Sequence, residues 1–571
     1  MMSKKVFSLP FVALIFASVL VADSKSQPLA ALTGVVTSDA EGHMEGVLVT
    51  ARPEGGNVTV TVISDDKGQY LFPSTKLQPG KYTLAVRAVG YELSGQAVPQ
   101  VEVNKTAHSD IKLVKTRDLA SQLTGAEWME SIPGNEKQKK ALFHCNQCHS
   151  LDLVANSTYD ADGWLSALPR MQNFWLGNSM FTQPISPAHT PKQAPVDPEL
   201  AKYLSSINLS SGRTTWPYEL KAFPRPRGAD TKVIITAYEL PRPGSMPHDV
   251  SISREGNVWY SDFRNPYIGR LDPATGKAKE WTLPVLKPGL PQWTLALELD
   301  KEGNPWSPRF YQGCAATMLD VKTEQFHSWS APAEYNGEYA ACSHGNIGAN
   351  GMMWLSDTRD SKMLELDPKT GEVRAFDAYP PDAPKESGPS RLFYFGIDEK
   401  FGGRGTGAHG TYGTAVDSKG DPIYCDMGGS TIAVLDHTTG QVTLYPTPTP
   451  NSAPRRGEID SEGRFWFGEW MTSQLGMFDP KTKEIKEWRP PTPWSGLYRA
   501  IGDKNGDAWA GGMSTDYVYR LNIKTGEWRE YLLPTLGGEI RDIKIDYSGT
   551  QEKVWVPLVH AGIIAKIEPL E

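Results

Sequence analysis

Leu271-Asp-Pro-Ala-Thr-Gly-Lys-Ala-Lys-Glu-Trp281 joins the end of one alternating run to the start of another through an Asp-led turn, and the phrase recurs along the chain. Near-copies begin at Leu319, Leu366, Leu435, Phe478 and Leu521, at spacings of 48, 47, 69, 43 and 43 residues. Most are preceded by a strand with a Gly-x-x-Trp element, as in Gly256-Asn-Val-Trp259, Gly351-Met-Met-Trp354, Gly463-Arg-Phe-Trp466 and Gly506-Asp-Ala-Trp509. A period in the forties, with a hairpin between the last two of four strands, predicts a propeller blade. A partial copy from 554 to 569 brings the count to seven, and it stops after its third strand. The run 233–240, ahead of the first copy, reads as a lone blade-ending strand. Pairing the two predicts a closed ring without free edges. The predicted fold is multidomain and mainly β, with a seven-bladed β-propeller over 232–571.

Blade geometry sorts the remaining residues by face. Those entering a first strand and those leaving a second strand share one face, and the Asp-led turns lie on the other. On the first face fall His248, His344 and His409, with Arg455, Arg456, Arg499 and Arg541 at matching positions in later blades. After the second strands come Asp262, Arg264, Arg309, Tyr311, Asp357, Arg359, Glu469, Trp470, Asp516 and His560. A mouth of imidazoles, carboxylates and guanidinium groups is suited to bind a small anionic substrate and to move protons. The alternative for each arginine or carboxylate is pairing that pins neighbouring blades. The long spacing places a Pro- and Gly-rich insertion at 378–407, read as a lid over this face. Histidines from four blades could also hold a divalent metal, although such spacings carry no ligand geometry.

Upstream lies Cys145-Asn146-Gln147-Cys148-His149. Two thiols so spaced, with an imidazole directly after, are what covalent attachment of one c-type haem requires: Cys145 and Cys148 take the haem vinyl groups and His149 becomes the proximal iron ligand. A redox dithiol or a zinc site would need a βαβ context or a second Cys/His pair, and neither stands nearby. Helical periodicity over 136–145, 163–171 and 197–207, with Asp197 as N-cap, surrounds the motif. The unit 118–213 resembles a small class I cytochrome c. That resemblance implies a thioether on the distal side of the iron, with Met171, 22 residues past His149, as first choice. Met180, His144 and His189 are the other options.

Before this unit, 29–115 alternates apolar and polar residues in short runs broken by turns such as Asp65-Asp66-Lys67-Gly68 and Gln78-Pro79-Gly80, a β-sandwich pattern. The series Gly34-Val-Val, Gly46-Val-Leu-Val, Asp66-Lys-Gly-Gln-Tyr70, Pro79-Gly80-Lys-Tyr82 and Gly90-Tyr91 resembles the carboxypeptidase-regulatory-like fold, a small prealbumin-type sandwich with a carbohydrate-binding-like build. Such a module implies a spacer, or a contact with carbohydrate or a surface. Lys4 and Lys5 followed by the apolar run 6–22 read as a Sec-type signal peptide over 1–22, giving an exported, periplasmic or secreted bacterial protein. No later run is long enough to span a bilayer. The net charge of −8 argues against a nucleic-acid partner. Of the cysteines outside the haem motif, Cys314, Cys342 and Cys425, the first two are the favoured disulfide pair.

The propeller phrases resemble the streptogramin, or virginiamycin B, lyase family. That resemblance implies ring opening by elimination with a histidine, acidic residues and magnesium, but its catalytic cluster has no residue-by-residue match here. No Gly-x-Gly-x-x-Gly dinucleotide fingerprint follows a strand. The reading that results is an exported c-type cytochrome fused to a lyase-like propeller. Haem-mediated electron transfer to a periplasmic redox partner would be coupled to binding or oxidation of a small organic substrate. The alternative is a C–O lyase whose cytochrome serves a separate electron-transfer or sensing role.

Overall fold

A computed structural model describes residues 30–147, 149–172, 196–290, 292–310, 312–336, 342–357, 361–383, 409–549 and 551–570. Mainly β, it opens with a sandwich. One sheet is built on Ala30–Ser38, Ile111–Lys115, Tyr91–Leu93 and Gln69–Pro73; the other holds Leu48–Pro53, Val58–Ile63, Gly80–Arg87 and Gln100–Val101. In Gly80–Arg87 the side chains of Tyr82 and Leu84 point inward while Lys81, Thr83 and Ala85 are exposed, the period-two signature of a half-buried strand. Leu32, Val36, Val49, Tyr70, Phe72 and Ile111 complete this core.

Seven blades follow. Blades one to four are four-stranded antiparallel sheets starting at Pro247–Ile252, Glu298–Leu299, Cys342–Ile347 and Thr411–Val416. Blades five and six share one sheet, because their inner strands Pro454–Ile459 and Leu497–Gly502 pair in parallel with Arg456 opposite Arg499. Blade seven has Lys544–Asp546, Lys553–Leu558 and Ile563–Pro569, and takes Val233–Glu239 as its outer strand, in register from Val233 with Pro569 to Glu239 with Ile563. The ring therefore closes as the repeat predicts. The Gly-x-x-Trp phrase has a packing reason: Trp259, Trp354, Trp466 and Trp509 are buried, and Trp259 stacks on Trp281 at 5.2 Å and Trp466 on Trp488 at 5.8 Å, tying second strands to fourth. Asp272 at the blade turn accepts from the Ala274 amide and the Thr275 hydroxyl, an Asx-type turn.

Val233–Glu239 has a second partner. Its other edge pairs antiparallel with Val58–Ile63 of the sandwich, Ile235 opposite Thr61 and Tyr238 opposite Val58, so sandwich and last blade form one eight-stranded sheet. The edge that ring closure leaves open is covered within the same chain. Arg87 of the sandwich reaches the propeller, donating to the Leu533 carbonyl at 2.6 Å and to Asp516 at 3.0 Å. Cys314 and Cys342 form a disulfide between blades two and three.

The segment between sandwich and ring is helical, with Gly125–Ser131, Glu136–Phe143, Ala161–Gln172 and Pro198–Ser206. Thr124 with Glu127 and Asn135 with Gln138 form capping boxes, and Asp197 caps the last helix by accepting from the Glu199 amide. This unit sits on the first face of the propeller. Leu142, Phe143 and Cys145 share one apolar cluster with Tyr412, Met427, Trp470, Tyr498 and Met513. The Ala126 amide donates to the Ser514 carbonyl at 2.9 Å, and the Trp494 indole to Glu130 at 2.5 Å. Among the described residues no helix is long and apolar enough to cross a membrane. Residues 1–29 lie outside them.

Candidate functional site

The innermost strands of blades one, three, four, five and six share an irregularity. Pairing slips between Pro247 and Val250, Cys342 and His344, Thr411 and Thr414, Pro454 and Gly457, and Leu497 and Ala500. Each is a β-bulge at the first-face end of the strand, and a bulge re-aims side chains that plain alternation would send to opposite sides. The bulges hold His248 with Asp249, Tyr412, Arg455 with Arg456, and Tyr498 with Arg499. Sequence periodicity carries no sign of them.

His248 is fully buried. Its Nδ1 lies 2.7 Å from Asp249 Oδ1, and its Nε2 has no hydrogen-bond partner. Burial drives the imidazole pKa down to about 4, so the ring is neutral at pH 7. With the carboxylate at Nδ1, that nitrogen carries the proton and Nε2 presents a lone pair. Asp249 in turn takes both arms of the Arg456 guanidinium. Burial alone would raise the Asp249 carboxyl, but Arg456 outweighs it and holds the group ionised far below its ordinary range. Next along the axis, Arg499 donates to Asp542 at 2.7 Å and to Glu458 at 2.7 Å, and Lys544 joins Glu458 at 2.8 Å and Glu298 at 3.0 Å. The axial channel is filled by paired charges from blades one, two, five, six and seven. Asp249, Glu298, Glu458, Asp542 and Lys544 lie outside the sequence-derived set, which weighed first-face loops and missed the channel-facing strand positions.

Above this column the site is aromatic. Tyr412 and Tyr498 share a hydroxyl hydrogen bond of 2.5 Å. The Arg455 guanidinium lies 4.8 Å from the Tyr498 ring and 4.5 Å from Trp470. His344 packs on Tyr412 at 4.1 Å, and burial holds it neutral, well below the ordinary imidazole range. On the other side, Met246, Phe263, Trp293, Phe310 and Val559 form an apolar cluster, with Phe263 at 5.2 Å from His248. Trp470 stacks on Phe143 of the helical unit at 4.9 Å and 17°, and His144 meets the same indole at 5.7 Å. The Arg455 guanidinium, lying over both Tyr498 and Trp470, thus links the rings of the mouth to Phe143 and His144 just before Cys145.

The remaining first-face residues separate by role. His409 donates Nδ1 to Asp426 at 2.6 Å, stacks on Tyr379 at 4.2 Å, and has a buried Nε2 without partner. His560 faces Glu539 at 3.5 Å, and burial, aided by the nearby Arg541 guanidinium, lowers its pKa. Glu469 is fully buried; its Oε2 accepts from Thr472 and Gln474, its Oε1 has no partner, and burial pushes its pKa up to about 8. Other members are structural. Asp262 binds Arg242 at 2.8 Å and accepts the Arg264 and Asn265 amides, capping the turn after its strand. Arg309 spends its guanidinium on the Pro284 carbonyl at 3.0 Å and on Thr317 at 3.2 Å, and Arg541 pairs with Glu539 at 2.8 Å. Asp516 holds Arg87 of the sandwich. Arg456 and Arg499 are committed to carboxylates in the channel, the interblade pairing that the sequence left open beside anion binding. Asp357 ends its strand buried at this face. Arg359, Tyr311 and the lid segment from 384 onward lie outside the described residues.

Among the described residues no group of three or more His, Cys, Asp or Glu side chains is placed to hold a metal ion. At the pentapeptide, Cys145 is buried within the turn His144–Gln147 and is not disulfide-bonded among the described residues. His149 is half-buried, and its Nδ1 donates to the Ser150 carbonyl at 2.9 Å, leaving Nε2 as the lone-pair nitrogen an axial ligand needs. Of the motif's three functional residues only Cys145 and His149 are described, and His149 has the nitrogen arrangement that haem ligation needs. Met171, half-buried at the end of Ala161–Gln172, packs against the helical core; Cys148, Met180 and His189 lie outside the described residues.

Residues 31–114 match the family model of the carboxypeptidase regulatory-like domain. No curated protein matches the chain. Among solved structures, virginiamycin B lyase from Staphylococcus aureus aligns at 17% identity over 59% of this chain and 99% of its own, with a TM-score of 0.48. A streptogramin B lyase structure aligns at 20% identity over 60% of this chain and 99% of its own, also with a TM-score of 0.48.

Proposed function

We propose that this protein is an exported c-type cytochrome joined to a propeller that binds or oxidises a small organic substrate, passing electrons through haem to a periplasmic redox partner. One observation carries the reading: the helix that runs into Cys145 packs on the same propeller face as the carboxylate-backed histidines His248 and His409, with Phe143 and His144 against Trp470. A separate electron-transfer module would need only a tether, whereas here the two share a core. Covalent fusion further raises the effective concentration of one redox site at the other. Cys145 and Cys148 would hold the haem, His149 would bind its iron, and Met171 would supply the distal thioether; the group supplies a one-electron acceptor when bound. His248 and His409 supply lone pairs held in orientation by Asp249 and Asp426, which suits proton removal from a substrate. The sandwich fixes the assembly through its shared sheet and leaves its far edge for a carbohydrate or surface contact.

The test is an optical spectrum of the exported protein, oxidised and reduced, followed by titration with periplasmic extracts. Reduced c-type bands that respond to an extract component, and lose that response in His248→Ala, His344→Ala and His409→Ala variants, support the reading. Absence of c-type bands, or bands indifferent to every compound the propeller binds, rejects it.

A further inference from the structure

The mouth is rich in arginine and histidine by sequence, yet it offers little positive charge to a ligand. Arg456 is clamped on Asp249, Arg499 on Asp542 and Glu458, and Arg541 on Glu539. Arg455 lies against the rings of Trp470 and Tyr498. His248 and His344 are neutral. A carboxylate or phosphate brought here would give up its hydration with no unpaired guanidinium among the pairs just named to receive it, a cost of several kcal/mol in a buried site.

The site does offer one buried acceptor and a surround of rings. His248 Nε2 has no partner, and an orphaned buried acceptor costs about 1–3 kcal/mol unless a donor reaches it. Its ring neighbours are Phe263 at 5.2 Å and Tyr498 at 6.2 Å, and Phe263 continues into Trp293 at 4.6 Å and Phe310 beyond. A group that satisfies Nε2 must donate a hydrogen bond, and the matter around it must be apolar or aromatic. We infer that the propeller mouth binds an uncharged aromatic hydroxyl compound, a phenol, whose O–H donates to His248 Nε2 and whose ring packs among Phe263, Tyr498 and Trp293. This rests on the proposed function for the site's purpose, but the binding itself does not require haem. It also replaces the anionic substrate that residue types alone suggested.

The experiment is calorimetric titration of the exported holoprotein at pH 7 with phenol and, separately, benzoate, which has the same ring but an anionic group that only accepts. Phenol is expected to bind, and benzoate to bind at least tenfold more weakly or not at all. His248→Phe keeps a ring against Phe263 and leaves Asp249 its Arg456 partner; it should lose on the order of tenfold in phenol affinity, the worth of one buried hydrogen bond. Benzoate binding as tightly as phenol, or phenol affinity unchanged in the variant, overturns the inference. If the variant does not fold, the wild-type comparison decides alone. Haem bands are followed in the same samples: phenol binding without any change in haem oxidation state rejects the electron-transfer reading and leaves the binding inference standing.

Discussion

Replacing Arg456 by Met isolates the central ion pair of the channel. The guanidinium is buried and contacts both oxygens of Asp249, which is itself fully buried. Methionine fills much of the volume but leaves the carboxylate with only the His248 Nδ1 proton and the Leu297 amide at 3.2 Å. Removing one partner of a buried pair costs about 3–5 kcal/mol, because the other charge stays desolvated. At roughly 2 °C per kcal/mol for a large domain, the melting midpoint should fall by about 6–10 °C. The pH dependence gives the sign. In the wild type the Asp249 carboxyl is depressed, so its contribution is present above the unfolded carboxylate pKa and is lost as pH falls. In the variant burial prevails, the folded pKa rises, and stability declines as pH rises through the unfolded value. The gap between variant and wild type should therefore be wider at pH 8 than at pH 5, and Asp249→Leu combined with Arg456→Met should recover much of it. Thermal melts by circular dichroism at the two pH values read this directly. A midpoint within about 1 °C of wild type at both would falsify the picture of a dry, paired channel.

Three further outcomes follow from other parts of the molecule. Glu469→Gln should match the wild type near pH 4.5 and become progressively more stable than it towards pH 8, since burial keeps the folded carboxyl neutral while the unfolded one ionises; parallel melting curves across that range would refute the raised value. A chain lacking residues 30–115 should expose the outer edge of Val233–Glu239 and associate through it, visible as larger species in size-exclusion chromatography; a clean monomer would show that edge is protected otherwise. Trp470→Ala removes the stacked partner of Phe143 and should cost about 3–5 kcal/mol and loosen the helical unit, measured as faster amide exchange over 136–147; unchanged exchange there would mean the docking rests elsewhere.

The fold was legible where local chemistry repeats. The Asp-led turns and the Gly-x-x-Trp strands have short-range causes, an Asx turn and an indole stacked within one blade, so each copy announces itself. Closure by Val233–Glu239 was legible because a third-strand stop and a lone strand complement each other. The bulges were not, since they arise from packing at the ring axis rather than from any residue preference. Pairing of Asp249 with Arg456 across more than two hundred residues was equally hidden: residue type placed Arg456 on the right face, but only the assembled ring decides whether it meets a ligand or a carboxylate. Seating of the helical unit on the mouth had no sequence signal, because its contacts are single aromatic residues from separate blades.

The strand Val233–Glu239 has a consequence for how the chain is made. Its sandwich neighbour Val58–Ile63 is synthesised well before it, whereas its propeller neighbour Ile563–Pro569 ends the described chain. As the polypeptide emerges from N- to C-terminus, the sandwich can receive this strand at once and hold it extended, with its free side waiting, while six blades are laid down. The last strand to arrive then meets a template already in register. A segment that looks like an accessory in the finished molecule is, during biogenesis, the fixed end from which the ring is measured.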